Sequence, residues 1–274
     1  MRQTIKYLMV AFVAVIAIAG CKKEINWNAF PDPNGNGCKL STLKADFEGF
    51  GNYTINFQYD AQGRISKATA GAETNTYTYS ANKITAKDQD GYVAEINLEN
   101  GRAISSGSDG VIKVGNVVYE YTRKYTYNAE GYLIQVKNYL NGELYSIDNL
   151  SYANGNLVKA VLVMETSGHT TTTEYSYSTG NVAVNVYEIS DPLSYHVDYF
   201  PGGYFGKQSK NVLLKSSSVT ADQNGDPFSE EVITFNSQYD AKGNATSVKM
   251  DAVSTFYTVV NTFTARYDLS YTCK

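Results

Sequence analysis

The stretch that decides the fold is Tyr53-Thr54-Ile55-Asn56-Phe57-Gln58-Tyr59-Asp60-Ala61-Gln62-Gly63-Arg64-Ile65. Up to Tyr59, apolar residues occupy every second position, so an extended strand would have one apolar and one polar face. The turn that follows contains Asp60, whose carboxylate can accept hydrogen bonds from nearby backbone N–H groups. It also contains Gly63, which tolerates positive φ where a type I turn rejoins the next strand through a bulge. The segment therefore predicts a β-hairpin.

The same unit recurs along the chain. Close copies of the turn begin at Tyr127 and Tyr239, and shorter copies begin at Tyr152 and Tyr177. Degenerate copies follow Tyr79 and Leu98. Because hairpins that follow one another pair in sequence order, the repeats predict an all-β, antiparallel meander. The tyrosine that precedes each turn is expected to pack across its strand pair.

Composition excludes several classes of protein. The chain has 274 residues, a net charge of -4 and only 2 histidines, but 24 tyrosines. An acidic chain lacks the basic face that nucleic-acid binding requires, so we expect no nucleic-acid partner. With so few histidines and cysteines we expect no metal site and no cofactor. The excess of tyrosine favours β structure.

The first residues are typical of an export signal. Arg2 and Lys6 precede an apolar stretch that is too short to span a bilayer as a helix. It ends in Ile18-Ala19-Gly20-Cys21, which resembles the lipobox of bacterial lipoproteins. The resemblance implies cleavage after residue 20, acylation of Cys21 and attachment to membrane lipid. The alternative is an ordinary signal peptide in which this cysteine is incidental.

Localisation and domain organisation follow from that assignment. No Asp follows Cys21, so the inner-membrane retention signal is absent and an outer-membrane location is expected, on either the periplasmic or the surface face. Residues 21–38 would form a flexible tether, because Pro, Gly and Asn crowd this segment. Residues 39–274 would form one hairpin domain. Cys38 and Cys273 then remain as a pair that an oxidising compartment would join in a disulfide, the alternative being two free thiols.

Two family resemblances rest on the turn motif and the lipobox. The stretch from Tyr59 to Ile65 resembles the YD repeat of Rhs-type and teneurin-type proteins. The whole chain more closely resembles a family of Gram-negative lipoproteins of unknown function with a porin-like fold. This resemblance implies a meander that curls into a barrel or an open barrel. Because many strands have polar residues on their second face, we expect a water-soluble barrel that is held at the membrane by lipid.

One interval breaks the repeat. No repeat turn is recognised between Tyr177 and Tyr239, and Asp191-Pro192 is typical of a helix start, so residues 193–200 are predicted to be a short helix within an irregular insertion at 191–210. The segment from Gly206 to Leu213 resembles one found in the same lipoprotein family. The insertion is either a plug over one barrel end or a ligand site. The candidate ligand-binding residues are Tyr199, Tyr204, Phe205, Lys210 and Asn211.

The sequence carries no convincing catalytic motif. His196 lies near Asp191 and Asp198, but no nucleophile motif accompanies it. We therefore predict a protein that is not an enzyme: a lipid-anchored binding or scaffold module whose ligand is a glycan or an envelope protein. The alternatives are a hydrolase-type enzyme that uses the 191–211 insertion, and a purely structural component of the envelope.

Overall fold

The computed structural model describes residues 37–114, 117–182, 189, 191–197 and 204–273, with residues 108–114, 117–119 and 180–182 described by their backbone alone. These residues form sixteen strands. The strands are β1 (Cys38–Phe47), β2 (Gly51–Tyr59), β3 (Ile65–Ala70), β4 (Glu73–Tyr79), β5 (Lys83–Asp88), β6 (Val93–Glu99), β7 (Arg102–Val114), β8 (Val117–Tyr127), β9 (Leu133–Leu140), β10 (Glu143–Ala153), β11 (Asn156–Met164), β12 (Thr170–Val182), β13 (Asn211–Ala221), β14 (Pro227–Tyr239), β15 (Ala245–Phe256) and β16 (Val259–Cys273).

The strands form a closed antiparallel barrel. Each strand pairs with its neighbour in sequence, and β1 pairs with β16 to close the sheet. The predicted all-β meander is confirmed, and of the two expected forms the barrel is the closed one. Closure leaves no unpaired sheet edge, which removes the hazard of pairing with another chain.

The topology assigns the loops to two ends. In a meander, loops that follow even-numbered strands share the end where the chain enters and leaves the barrel, and we call this the terminal end. Loops that follow odd-numbered strands share the opposite end, which we call the distal end. Cys38 and Cys273 lie opposite each other at the start of the β1–β16 seam, where they form a disulfide.

The turn chemistry is visible in the first repeat. Asp60 Oδ1 accepts hydrogen bonds from the backbone N–H groups of Gln62 and Arg64, both at 2.9 Å. Gly63 has a φ of 81°, which a residue with a side chain would adopt only with strain. The same bonds recur in the turn that Asp240 begins.

An equivalent turn also begins at Asp222, whose carboxylate accepts from the N–H groups of Asn224 and Asp226. The interval between Tyr177 and Tyr239 therefore contains a hairpin turn with the same carboxylate chemistry. It is not a copy of the full repeat, because no tyrosine precedes Asp222.

Four of the tyrosines before the turns connect to an earlier strand at the terminal end, whereas the buried Tyr152 hydroxyl has no hydrogen-bond partner among the described residues. The four hydroxyl groups donate to main-chain carbonyls near the start of that strand. The pairs are Tyr59 with Leu40 (2.6 Å), Tyr79 with Ile65, Tyr127 with Ala103 (2.8 Å) and Tyr177 with Leu157 (2.7 Å). A phenol suits these four positions because its half-buried ring packs against the core while its hydroxyl still finds a partner. This contact explains the tyrosine at these four positions of the repeat.

The barrel interior is apolar on one side and polar on the other. Strands β1–β6 and β14–β16 contribute mainly apolar residues, such as Leu43, Ile96 and Tyr267. Strands β7–β13 also contribute buried polar residues, namely Ser106, Asn138, Ser146, Asp148, Asn156 and Ser216. Buried polar groups need hydrogen-bond partners, so this half of the lumen must contain a network.

Strand β11 differs from what its apolar run, Leu157 to Met164, would predict on its own, which is a buried central strand. Only Asn156, Leu157 and Ala160 are buried, and the last four residues are half-buried. A closed barrel has no central strand, because each strand has one inner and one outer face. Among the described residues, no helix has the length and apolar character needed to cross a bilayer.

Candidate functional site

The connection from β12 to β13 is the one long loop in the described barrel, and it lies at the terminal end. Its described parts are residue 189, residues 191–197 and residues 204–210. A 3₁₀ turn spans Pro192–Tyr195, and Asp191 caps it by accepting a hydrogen bond from the Leu193 backbone N–H at 3.1 Å. The helix predicted over 193–200 is therefore shorter, begins one residue earlier and is 3₁₀ in type, while residues 198–200 lie outside the described range.

Main-chain hydrogen bonds tie this insertion to the hairpin ends around it. Tyr204 accepts from Ala103 N at 2.8 Å, Lys207 donates to Gly131 O at 3.0 Å, and Lys210 donates to Gly155 O at 2.9 Å. These bonds join the insertion to the start of β7, to the β8–β9 turn and to the β10–β11 turn. The described parts of the insertion thus pack against one side of the terminal opening.

Gly206 shows how closely the insertion packs. Its φ is +87°, and a Cβ at this position would lie 2.6 Å from the Gly131 carbonyl oxygen and 3.1 Å from the Tyr127 ring. Both the backbone conformation and the space require glycine here. Gly206, the first residue of the Gly-x-x-Ser-Lys-Asn segment, is therefore required by the structure.

Tyr204 and Phe205 belong to the core. They are only 1% and 3% exposed, and the Phe205 ring meets Tyr125 edge-on at 5.2 Å between ring centres. Their assignment to a ligand site is corrected, because neither ring offers a face to solvent. Their rings instead anchor the insertion to the barrel wall.

A hydrogen-bonded series of polar side chains, all buried except the half-buried Arg123, crosses the polar half of the lumen. Arg123 Nε donates to Asn138 Oδ1 at 3.0 Å, and Asn138 Nδ2 donates to Asp148 Oδ2 at 2.9 Å. Asp148 Oδ1 lies 2.8 Å from His196 Nδ1, and His196 Nε2 lies 2.9 Å from the Tyr175 hydroxyl. Strands β8, β9, β10 and β12 are thereby joined to the insertion.

The chemistry of this series of side chains favours a structural role for it over catalysis. A carboxylate, an imidazole and a hydroxyl in series resemble the order of groups in an acid–base relay. However, Asp148, Tyr175 and His196 are each at most 8% exposed. Burial raises the pKa of Tyr175 well above its usual value, with nearby tyrosines and Asp148 contributing, so the phenol stays neutral. A neutral, enclosed phenol is a poor nucleophile. The series of hydrogen-bonded side chains instead holds the insertion in place.

A cavity of about 470 Å³ opens beside the end of the insertion. It lies between the β10–β11 turn, the end of β12 and the start of β13, and it includes two of the predicted ligand residues. It is lined by Asn154, Asn156, Tyr177, Ser178, Thr179, Lys210 and Asn211.

Two of the lining residues, Asn156 and Asn211, are joined by two hydrogen bonds. Asn156 Oδ1 accepts from the Asn211 backbone N–H at 2.9 Å, and Asn156 Nδ2 donates to Asn211 Oδ1 at 3.0 Å. Tyr177 is fixed beside the pair, because its hydroxyl donates to the Leu157 carbonyl and lies 3.0 Å from Ser209 Oγ. Burial raises the pKa of Tyr177 above its usual range, and the hydrogen bond to Ser209 offsets only part of this increase.

The structure separates the predicted site residues into three groups. Lys210 and Asn211 come together at the cavity, while Tyr204 and Phe205 are in the core. Tyr199 and Cys21 lie outside the described residues. Asn156, Ser178 and Asp148 were missed, because each looks like an ordinary strand or turn residue and acquires its surroundings only through strand pairing. Among the described residues, no cluster of His, Cys, Asp and Glu is placed to hold a metal ion.

Comparison with known protein families adds to this geometry. A family model described as a domain of unknown function (DUF4595) with porin-like fold matches residues 57–272. The chain belongs to this family. The family name describes a fold and assigns no activity, and a search of curated proteins found no match.

Two solved structures share the fold of this DUF4595 protein. A porin-like protein from Bacteroides uniformis has a TM-score of 0.60 at 21% identity, over 85% of this chain and 98% of its own. A porin-like protein from Bacteroides vulgatus has a TM-score of 0.56 at 17% identity, with the same coverage of both chains. Identity this low shows a shared architecture only.

Proposed function

We propose that this DUF4595 protein is a lipid-anchored outer-membrane module that binds a glycan in the cavity at its terminal end. The observation that carries the proposal is the cavity itself, which the insertion and the β10–β11 turn form together. Its volume of about 470 Å³ lies within the usual range for small-molecule sites. The porin-like fold is compatible with a place in the cell envelope.

The lining matches a polyhydroxylated ligand. Amide groups donate and accept hydrogen bonds at the same time, as sugar hydroxyls do. Among the described residues, the cavity presents three asparagines, one serine and one threonine, together with Lys210 as the one charged lining residue. Such a surface recognises hydroxyl groups in several directions without demanding a strongly charged ligand.

One further feature favours binding. The hydrogen bonds between Asn156 and Asn211 fix both amides before a ligand arrives, which lowers the entropic cost of association.

Lipid attachment at Cys21 completes the proposal. The lipobox supports it, and the tether enters the barrel at Cys38, at the same end as the cavity. Residues 1–20 would be the signal peptide and residues 21–38 the tether. The protein would thus be held at the membrane by acyl chains while its cavity samples ligands near the anchor.

A glycan array with the mature chain tests the binding function. The informative variant is Lys210→Met, which keeps the length of the side chain but removes its charged donor. Because a hydrogen bond to a charged group contributes roughly 1.5–3 kcal/mol, affinity should fall about tenfold or more. Lys215→Met, on the exposed face of β13, is the matched control and should bind like the parent.

The outcomes separate the competing functions. Glycan binding that Lys210→Met weakens and Lys215→Met leaves unchanged supports the cavity as the site. Binding that both variants retain places the glycan elsewhere on the barrel. No glycan retained by the parent chain would contradict the proposal and favour a purely structural role.

A further inference from the structure

The distal end of the barrel carries an exposed apolar hairpin tip. The β15–β16 hairpin turns through Tyr257 and Thr258, and residues 252–265 contain no charged side chain. Four large apolar residues at this turn are more than half exposed: Phe256 at 52%, Tyr257 at 71%, Val259 at 58% and Val260 at 62%. Contiguous exposed apolar surface of this kind marks a contact site.

The backbone at Tyr257 makes the tip unusual within this molecule. Tyr257 has a φ of 52°, in the left-handed region. The other described non-glycine residues with positive φ are Asn100, Asn141 and Asn154, and a glycine follows each of them. Asparagine tolerates this conformation, whereas for a bulky aromatic residue it is strained. The tip therefore keeps an exposed aromatic ring where the chain elsewhere uses Asn-Gly, and strain of this sort often accompanies function.

Neighbouring rings hold the tip in one shape. Phe228, at the start of β14, lies 5.9 Å from the Phe256 ring and 6.0 Å from the Tyr257 ring, and the last two rings are 4.8 Å apart. The Tyr257 backbone N–H also donates to the Phe228 carbonyl at 2.8 Å. The result is a projecting aromatic knob with a braced backbone.

We propose that this tip inserts into the headgroup region of a zwitterionic bilayer, the one to which the chain is anchored. A projecting, uncharged knob suits a fluid interface that closes around it, and tyrosine favours that depth. Exposed Glu230 and Glu231 lie opposite Thr255 and Ser254 on the neighbouring strand. These carboxylates would be repelled by anionic headgroups, which makes the preferred surface zwitterionic.

The tether is long enough to allow the contact. This step rests on the attachment of lipid to Cys21 in the proposed function. The sixteen residues from Cys21 to Asn36 can span up to about 55 Å when extended. Strand β16, with 15 residues, is roughly 50 Å long and shorter along the axis of a barrel with tilted strands. The barrel can therefore tilt until its distal tip reaches the membrane to which Cys21 is anchored.

Single-tryptophan fluorescence tests the proposal. Trp27 is the sole tryptophan, so Trp27→Phe gives a silent background into which Tyr257→Trp places a reporter at the tip. With Cys38 and Cys273 bonded, the thiol of Cys21 can be joined to a maleimide lipid, which anchors the chain whether or not it is lipidated in cells. Tyr92→Trp, in another exposed distal loop, is the matched control reporter.

The proposal predicts a distinct pattern in phosphatidylcholine vesicles that carry bromine on their acyl chains. The reporter at 257 should shift to the blue and be quenched at least twofold more than the reporter at 92. Adding Val260→Asp, or replacing half of the lipid by phosphatidylglycerol, should abolish most of that difference.

Two results would overturn it: a reporter at 257 that vesicles leave unchanged, or equal quenching at 257 and 92. A protein partner or a second copy at the tip would give the first result. Failure of lipidation in cells would instead show as absent palmitate labelling and would leave this experiment unaffected.

Discussion

At the scale of single residues, the repeat is explained by where tyrosine and aspartate place their polar atoms. The tyrosine hydroxyl reaches the carbonyl of an earlier strand, and the aspartate carboxylate organises the turn that follows. In the first repeat, Arg64 forms an ion pair with Asp60 and lies over the Tyr79 ring at 4.3 Å. The tyrosine, the aspartate and the arginine of the motif thus make three different kinds of contact at the terminal end.

The tyrosine contact leads to a stability prediction. Tyr59→Phe removes the hydroxyl that donates to the Leu40 carbonyl at 2.6 Å and leaves that carbonyl without this partner. A hydrogen bond of this type contributes about 1 kcal/mol, so the free energy of unfolding should fall by roughly that amount. Denaturant titration measures it, with Tyr92→Phe as the exposed control. Equal losses in the two variants would argue against the hydroxyl contact.

The turn carboxylate leads to a pH prediction. Burial raises the pKa of Asp60, but hydrogen bonds from the Arg64 backbone and guanidinium, together with the Arg64 charge, outweigh it and hold the pKa below its usual value. A folded pKa below the unfolded value means that stabilisation is complete above the unfolded pKa, near 4, and is lost as pH falls through the folded pKa. Asp60→Asn keeps the turn, as Asn128 does in its own copy.

The measurement is a pair of denaturant titrations, one near neutral pH and one near pH 2. The parent should be more stable than Asp60→Asn near neutral pH, and the gap should narrow in acid. A gap that stays constant between these conditions would show that the charge of Asp60 does not stabilise the fold.

At the scale of elements, the insertion is attached by backbone bonds, aromatic packing and one histidine. His196 lies between Asp148 and Tyr175, which come from β10 and β12. Its neighbour Tyr195, the last residue of the 3₁₀ turn, is 45% exposed. Two adjacent residues thus differ, because one connects two strands and the other faces solvent.

This contrast yields a matched pair of variants. His196→Ala leaves a buried carboxylate and a buried phenol without their shared partner, which should cost roughly 3 kcal/mol of stability. It should also speed proteolysis within residues 191–210. Tyr195→Ala should change neither quantity much. Unchanged stability and protection in His196→Ala would show that the insertion is held by its other contacts alone.

At the scale of the whole molecule, closure depends on the seam between the first and last strands. Cys38 and Cys273 are partners in the β1–β16 register and are 235 residues apart in sequence. Pairing strands so far apart carries a large loop-closure cost, and a covalent link removes much of that cost from the unfolded chain.

Loss of this bond should therefore destabilise the barrel. Cys38→Ser with Cys273→Ser removes the cross-link, which in the chain-entropy model contributes about 5 kcal/mol for so long a loop. The midpoint of denaturant unfolding should fall, and the parent treated with reductant should behave similarly. Non-reducing peptide mapping of periplasmic material should link the two peptides. Two free thiols there would contradict the predicted bond.

Membrane attachment is also a property of the whole chain. Cys21→Ala should abolish metabolic labelling with palmitate, because the lipobox resemblance implies that acyl chains are attached to this residue. Cys38→Ser should leave labelling intact and serves as the control. Labelling that persists in Cys21→Ala would refute lipidation at that site. Protease treatment of intact cells would distinguish the surface face of the outer membrane from the periplasmic face.

The candidate site was only partly predictable. Lys210 and Asn211 were identified from an irregular segment, and they do line the cavity. Asn156 was not identified, since it lies 55 residues from its partner and resembles any other turn residue. The exposed Tyr257 was also missed, because sequence periodicity cannot reveal which hairpin turn leaves its apolar residues exposed.

The amino-acid sequence by itself determined the hairpins, their antiparallel order and the pairing potential of the cysteines. These features rest on local physics: side-chain alternation, carboxylates that bond to the next backbone groups, and glycines at positive φ. Only the tertiary structure decided that the meander closes, that Tyr204 and Phe205 are buried and that His196 meets Asp148. Those outcomes depend on contacts between distant strands, whose register is set cooperatively by the whole sheet and is not encoded in any single segment.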